Sequence, residues 1–207
     1  MFTFDPMKTK DKIILAAKEI FHQKGYDGAR MQEIADASGI NKALLHYHFQ
    51  SKEKLFHAVL LGAVSQMFPT IMTLLNADKP LDEKIKNVVE VYIDFISKNP
   101  KLPIFVLQEL NSNPEFIFEK LQAMNQKPLV FIEQVEAAVA NQTIIPTQPF
   151  HLIADILGLC IFPFIAKPML QFMSGMNEAD FKQFISERKE HVTQMILNGL
   201  LIKSPNI

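Results

Sequence analysis

Residues 29–55, ARMQEIADASGINKALLHYHFQSKEKL, read as two short helices joined by a tight turn, followed by the start of a third helix. The stretch from Met31 to Ala37 carries helix formers, with Ile34 and Ala35 available to face inward. Ser38-Gly39-Ile40 puts a glycine where the chain reversal needs positive φ, and Asn41 is a residue type that caps a new helix. This is the syntax of a helix-turn-helix. Stepping about 100° per residue from Lys42 places Leu45 near ~300° and Phe49 near ~340°, while Ala43, His46 and Tyr47 fall between about 40° and 140°. The second helix therefore has a core side and an outward side. The outward strip mixes small, cationic, imidazole and phenolic groups, which suits entry into a major groove with contacts to base edges and phosphates.

The run GINKALLHYHFQSKEKL, preceded by Ile34-Ala35, resembles the DNA-binding signature of the tetracycline-repressor (TetR) family of one-component regulators. The turn, the Leu-x-Tyr-His-Phe segment and the Ser-Lys-Glu-x-Leu helix start occur together at fixed offsets. The resemblance covers about residues 8–57. It implies DNA-contacting roles for Lys42, Ala43, Leu44, His46, Tyr47 and His48 on the recognition helix, for Lys52 at the next helix start, and for Arg30, Met31 and Gln32 opening the first helix of the motif. The chemistry fits each expectation. Lys42 suits a guanine edge or a phosphate, Tyr47 and Lys52 suit phosphate, Gln32 suits adenine or backbone, and His46 and His48 donate best when protonated. Two positions depart from the family pattern: Leu44 stands where Thr or Ser is common, and Ala29-Arg30 replaces an expected hydroxyl cap. Leu44 offers contact with a thymine methyl instead, and Arg30 a phosphate contact.

The totals are less specific. The chain has 207 residues, 48% of them apolar and 21% charged, as in an ordinary soluble globular protein. A formal net charge of -1 gives no global sign of nucleic-acid binding. Its distribution does lean the expected way: residues 1–57 hold nine Lys or Arg against seven Asp or Glu, and the remainder twelve against fifteen. The single cysteine, Cys160, excludes an intrachain disulfide framework, and its apolar surroundings GLCIFPF suggest a buried spectator thiol. No secretory signal pattern opens the chain, and the apolar stretch 157–166 is about half a bilayer span and interrupted by Pro163. The expected location is cytoplasmic, without a membrane partner.

Helical spacing continues along the whole chain. A first helix over 8–24 presents Ile13, Ala17, Ile20 and Phe21 to Ile34, Leu45 and Phe49. Ser51 caps a long helix running through Pro69 toward Asn76. Further helices are expected over 81–97, 103–111, 115–124 and 126–141. Residues 151–173 are apolar almost all round, with Pro163 and Pro168 expected to kink or divide them, and a last amphipathic helix covers 178–201. The fold expected is all-α: an N-terminal three-helix DNA-binding domain over 1–57, then a larger helical-bundle domain for ligand binding and dimerisation over 58–207.

The family resemblance further implies a homodimer formed through the last two long helices, 152–173 and 181–201, and a small apolar or amphipathic effector bound in the body. Candidate ligand contacts are Phe95, Phe105, Met124, Phe131 and Phe162 as apolar walls, and Asp94, Gln108 and Glu109 as polar groups inside apolar runs. Asp155 in LIADIL is of the same polar kind. No cofactor or metal is expected: His46 and His48 are two residues apart and do not share a helix face. The chain lacks a glycine-rich phosphate loop, Gly-x-Ser-x-Gly and His-Glu-x-x-His, so enzymatic activity is not expected. A ligand-responsive regulator, most simply a repressor bound to a pseudo-palindromic double-stranded operator, is the reading; its rival is a helical adaptor that binds protein or lipid without DNA.

Overall fold

Helix follows helix from one end of the described residues, 6–201, to the other, and the computed structural model contains no β-strand among them. The elements are α1 (Pro6–Gly28), α2 (Met31–Ser38), α3 (Lys42–Phe49), α4 (Lys52–Leu75), α5 (Leu81–Lys98), α6 (Leu102–Ser112), α7 (Pro114–Ala123), α8 (Leu129–Ala140), α9 (Pro149–Ile165), α10 (Lys167–Ser174) and α11 (Glu178–Leu200). The all-α expectation holds. The chain divides into two units, Met1–Gln66 and Met67–Ile207, with the division inside α4.

In the first unit Ile13, Ala17 and Phe21 of α1, Ile34 and Ala35 of α2, and Leu45 and Phe49 of α3 are all buried. Such a small core needs more apolar surface than three short helices supply. The start of α4 provides it: Leu55, Phe56 and Leu60 are buried, and the Phe56 ring meets Phe21 edge-on at 5.3 Å and Tyr26 at 4.8 Å. By length and composition α4 would suffice to cross a bilayer, a property the sequence reading had not assigned to it. Its buried residues Leu55, Phe56, Leu60, Met67 and Leu75 make it a helix of both cores.

In the second unit α5 is the centre. Its residues Ile85, Val88, Val89, Ile93 and Ile96 join one core with Phe131 and Val135 of α8, Leu152, Ile156, Cys160 and Phe164 of α9, and Phe181, Ile185, Val192, Ile196 and Leu200 of α11. Burying each such aliphatic or phenyl side chain contributes about 1.5–3 kcal/mol. α11 starts with a reciprocal cap, in which Asn177 Oδ1 accepts from the Ala179 and Asp180 amides and Asp180 Oδ2 accepts from the Asn177 amide.

The apolar stretch 151–173 divides at Ala166, just before Pro168, and not at Pro163. α9 continues through Pro163, ends at Ile165, and α10 leaves at 68° with Pro168 in its first turn. Proline at 163 has no N–H for the carbonyl of Leu159, four residues back. Arg188 of α11 fills that carbonyl with hydrogen bonds from Nε at 3.2 Å and Nη2 at 3.1 Å. With its freed acceptor satisfied from another helix, α9 passes the proline unbroken.

Candidate nucleic-acid interface

Each step of the helix-turn-helix has a local cause. Gly39 at φ 69° closes α2: its amide donates to the Asp36 carbonyl and the next amide, Ile40, to that of Ala35, which satisfies two of the helix's last carbonyls. Asn41 then caps α3 by accepting from the Leu44 amide at 2.8 Å. Ser51 Oγ does the same for α4 at the Lys54 amide, 3.1 Å away. α2 has no side-chain cap at Arg30, in keeping with the missing hydroxyl.

These caps fix which face of α3 points outward. Leu45 and Phe49 are buried, whereas Lys42, Ala43, His46 and Tyr47 are exposed. Tyr47 is 79% exposed, an unusual position for so large an aromatic group with no other side to cover it. His48 is half-buried, its ring edge-on to Tyr47 at 5.4 Å, and Leu44 is also half-buried. His46 Nδ1 lies 3.0 Å from the Gln50 carbonyl, so Nδ1 carries the donated proton and Nε2 faces outward, a donor once the ring is charged. α3 contains no acidic residue to repel phosphate.

Arg30 and Gln32 are exposed at the start of α2 and Met31 is half-buried. Gln32 Nε2 is already held by Asp36 Oδ1 at 2.8 Å. Glu33, in the same turn, bonds Lys24 at 2.8 Å, and that cation lowers its carboxyl pKa. Lys52, expected at a phosphate, contacts the protein's own backbone. Its ammonium points into the protein, 3.0 Å from the Tyr26 carbonyl, 3.3 Å from that of Ala29 and 3.4 Å from that of Asp27, and 4.5 Å above the Tyr26 ring. α1 loses helical geometry at Gly25 (φ 73°), so carbonyls beyond it lack helical donors. Lys52 gathers these carbonyls and holds the turn that leads into α2. Lys54, which the sequence offers as a cation close to the Ser51 cap but not as a DNA contact, is exposed beside α3 and bonds Gln50 Oε1. Its only sequence signal is a second lysine in Ser-Lys-Glu-Lys.

The eight ligand candidates occupy different settings, and none lines the cleft between the end of α4 and the loop before α8. Phe131 is a fully buried core residue, Glu109 is buried, and Phe162 is 52% exposed. Asp94 is exposed and ion-paired with Lys189 at 2.5 Å. Gln108 is exposed, and Phe95, Phe105 and Met124 are half-buried. Asp155 is exposed on α9. An apolar-run position alone did not tell core from wall. The cleft has a volume of about 550 Å³ and is lined by Met72, Thr73, Asn76, Asn125, Gln126, Lys127 and Leu129. In the sequence its polar residues look like an ordinary connector. Among the described residues no cluster of His, Cys, Asp or Glu has the makings of a metal site.

Comparison with known proteins agrees with this geometry. Residues 13–59 match the model of the family described as bacterial regulatory proteins, tetR family. The chain is 34% identical over 87 residues to the transcriptional activator FasR of Mycolicibacterium smegmatis, covering 42% of this chain and 40% of FasR. It is 25% identical over 192 residues to the transcriptional regulator RutR of Escherichia coli K12, covering 92% of this chain and 90% of RutR. The fold matches that of the fatty acid degradation regulator FadR from Bacillus halodurans with a TM-score of 0.65 at 18% identity, covering 91% of this chain and 94% of that one.

Proposed function

From the match of residues 13–59 to the tetR family and the near full-length similarity to RutR, we propose that the chain is a TetR-family transcriptional regulator, a homodimeric, cytoplasmic repressor that a small amphipathic effector releases from DNA. The observation that carries the DNA half of this reading is the outward face of α3, with Lys42, Ala43, His46 and the exposed Tyr47 opposite the buried Leu45 and Phe49. Each α3 enters a major groove, Lys42 and Tyr47 supply phosphate or base-edge contacts, and Arg30 supports them from the start of α2. Leu44 sits at the edge of this face. The two reading heads of a dimer address half-sites about 34–36 Å apart, or a multiple of that.

The dimer is supported by what one chain leaves uncovered. α9 buries Leu152, Ile156 and Cys160 on one side but exposes Phe150 (68%), Leu157 (37%) and Phe162 (52%), and α11 exposes Met195 (52%). A second copy placing the same two helices against these would cover them by a two-fold contact. The effector acts by favouring a state whose head spacing fits the operator less well, with α4, shared by the two units, as the connecting element.

The test is retention of DNA flanking the protein's own gene in a gel-shift experiment. Specific retention that weakens steeply with salt is expected. Absence of retention at low salt favours the helical adaptor.

A further inference from the structure

The turn that joins α4 to α5 collects polar groups with unmet bonding capacity. Lys84, in the first turn of α5, is 1% exposed, and its Nζ donates no hydrogen bond. Its neighbours along the helix, Ile85 and Val88, are core residues. Burial lowers its pKa; Asp78, in the turn before α5, opposes that shift electrostatically but accepts no hydrogen bond from it. An ammonium kept from water without a partner is destabilising, so a fold that retains one is a place to look for a ligand.

A second orphan belongs to a side chain of α8 that bonds this turn. Gln134 of α8 donates from Nε2 to the Lys79 carbonyl at 3.0 Å, and its Oε1 is buried with no donor. The turn is also tied to α8 and the loop before it by Asn76, whose Nδ2 donates to the Lys127 carbonyl at 2.8 Å and whose Oδ1 accepts from the Val130 amide at 3.1 Å. Asn76 and Lys127 are walls of the cleft described above, and no Asp or Glu lines it. Residues 76–84 thus carry one wall of the cleft at Asn76, the carbonyl that Gln134 bonds at Lys79, and the unfilled donor at Lys84.

We infer that this corner binds the carboxylate of an amphipathic small molecule, with Lys84 as its anchoring cation. The inference rests on the ligand-responsive reading above and names the ligand's chemical class. A carboxylate supplies the acceptor that Lys84 lacks in a charge-assisted bond. The apolar remainder of the ligand meets Met72 and Leu129 in the walls of the cleft. Gln134 Oε1, which lacks a donor, accepts one from the same ligand or from a water carried with it once the turn has moved. Since Nζ and Oε1 are both covered, occupancy requires residues 76–80 to lift from α8, breaking the bonds made by Asn76 and Gln134. That movement acts on the end of α4, so the binding event reports along this helix.

The experiment is calorimetric titration of the full chain with a series of straight-chain carboxylates and their matched alcohols, repeated with Lys84→Met. At least one acid is expected to bind roughly tenfold tighter than its alcohol, and Lys84→Met to erase that preference while raising the melting temperature of the unliganded protein. No preference for any acid, or a preference that survives in Lys84→Met, overturns the inference. Should that variant fail to fold, the Lys84 ¹⁵Nζ resonance of the unaltered protein decides: a shift with acid but not alcohol supports the anchor, and an equal response overturns it. DNA retention is scored separately. A chain that retains DNA but shows no acid preference keeps the regulator and loses the anchor; the opposite pair of results keeps the anchor and loses the regulator.

Discussion

Arg188 donates two hydrogen bonds to the carbonyl of Leu159, one turn before Pro163, and so supplies from α11 what the proline removes from α9. Arg188→Met leaves this part-buried acceptor unfilled and should destabilise the protein by about 1–3 kcal/mol. Pro163→Ala restores an amide that can reach Leu159. On that background the same Arg188 substitution should therefore cost less, and a double-mutant cycle in denaturant measures the difference. Equal costs on both backgrounds would show that the two residues are independent.

Lys42 and Lys52 are expected to separate in salt titrations of DNA binding. Lys42 is exposed on the outward face of α3, so Lys42→Ala should flatten the slope of log affinity against log salt by about 0.9, the value of one phosphate contact. Lys52 is occupied by the carbonyls of Tyr26, Asp27 and Ala29. Lys52→Met should leave the slope unchanged while lowering stability by about 1–2 kcal/mol, the scale of charge-assisted bonds in a half-exposed setting. A flattened slope for Lys52→Met would restore its phosphate role.

Alkaline pH should weaken the second unit. Burial pushes the Cys160 thiol up to about 12 and also raises the Tyr92 hydroxyl. In the unfolded chain a thiol loses its proton near ~8.5, so between that pH and about 12 the unfolded state holds fewer protons than the folded one and stability falls as pH rises. Below the unfolded value this contribution is fully present. Denaturant midpoints from neutral to alkaline pH should fall, and Cys160→Ala should shallow the fall. A thiol reagent at pH near ~8 should modify native Cys160 no faster than the protein opens.

Phe162→Arg places a charge on the exposed apolar face of α9 and should yield monomers by sedimentation with the helical content unchanged. A dimer of undiminished strength would move the interface elsewhere.

The DNA-binding unit was legible in the sequence because its signals are local. Gly39, Asn41 and Ser51 each act on amides or carbonyls within a few residues, and the alternation of Leu45 and Phe49 with Lys42, His46 and Tyr47 needs only the helical repeat. The backbone contacts of Lys52 were not legible, because its partners lie more than twenty positions earlier in the chain and exist only once α1 has been broken at Gly25. Division of the 151–173 stretch by its prolines was expected and falls just before Pro168; that Pro163 does not break the helix was not legible, since its fate depends on a guanidinium from α11. The settings of the ligand candidates were hidden for the same reason: Phe131 and Phe162 look alike in sequence, yet one is fully buried in the core of the second unit and the other is exposed. Lys84 sits among Asp82, Glu83 and Lys86 and reads as a solvated surface lysine; only packing shows that it is covered.

The account is tested most directly by selecting DNA from a random pool with the full chain and comparing it with Tyr47→Ala, which alters the most exposed aromatic group of α3. It predicts enrichment of a pseudo-palindrome with half-sites about one helical turn apart or a multiple of that, and loss of retention in Tyr47→Ala without loss of the dimer. No enrichment, or an enriched sequence that Tyr47→Ala binds equally well, would contradict it.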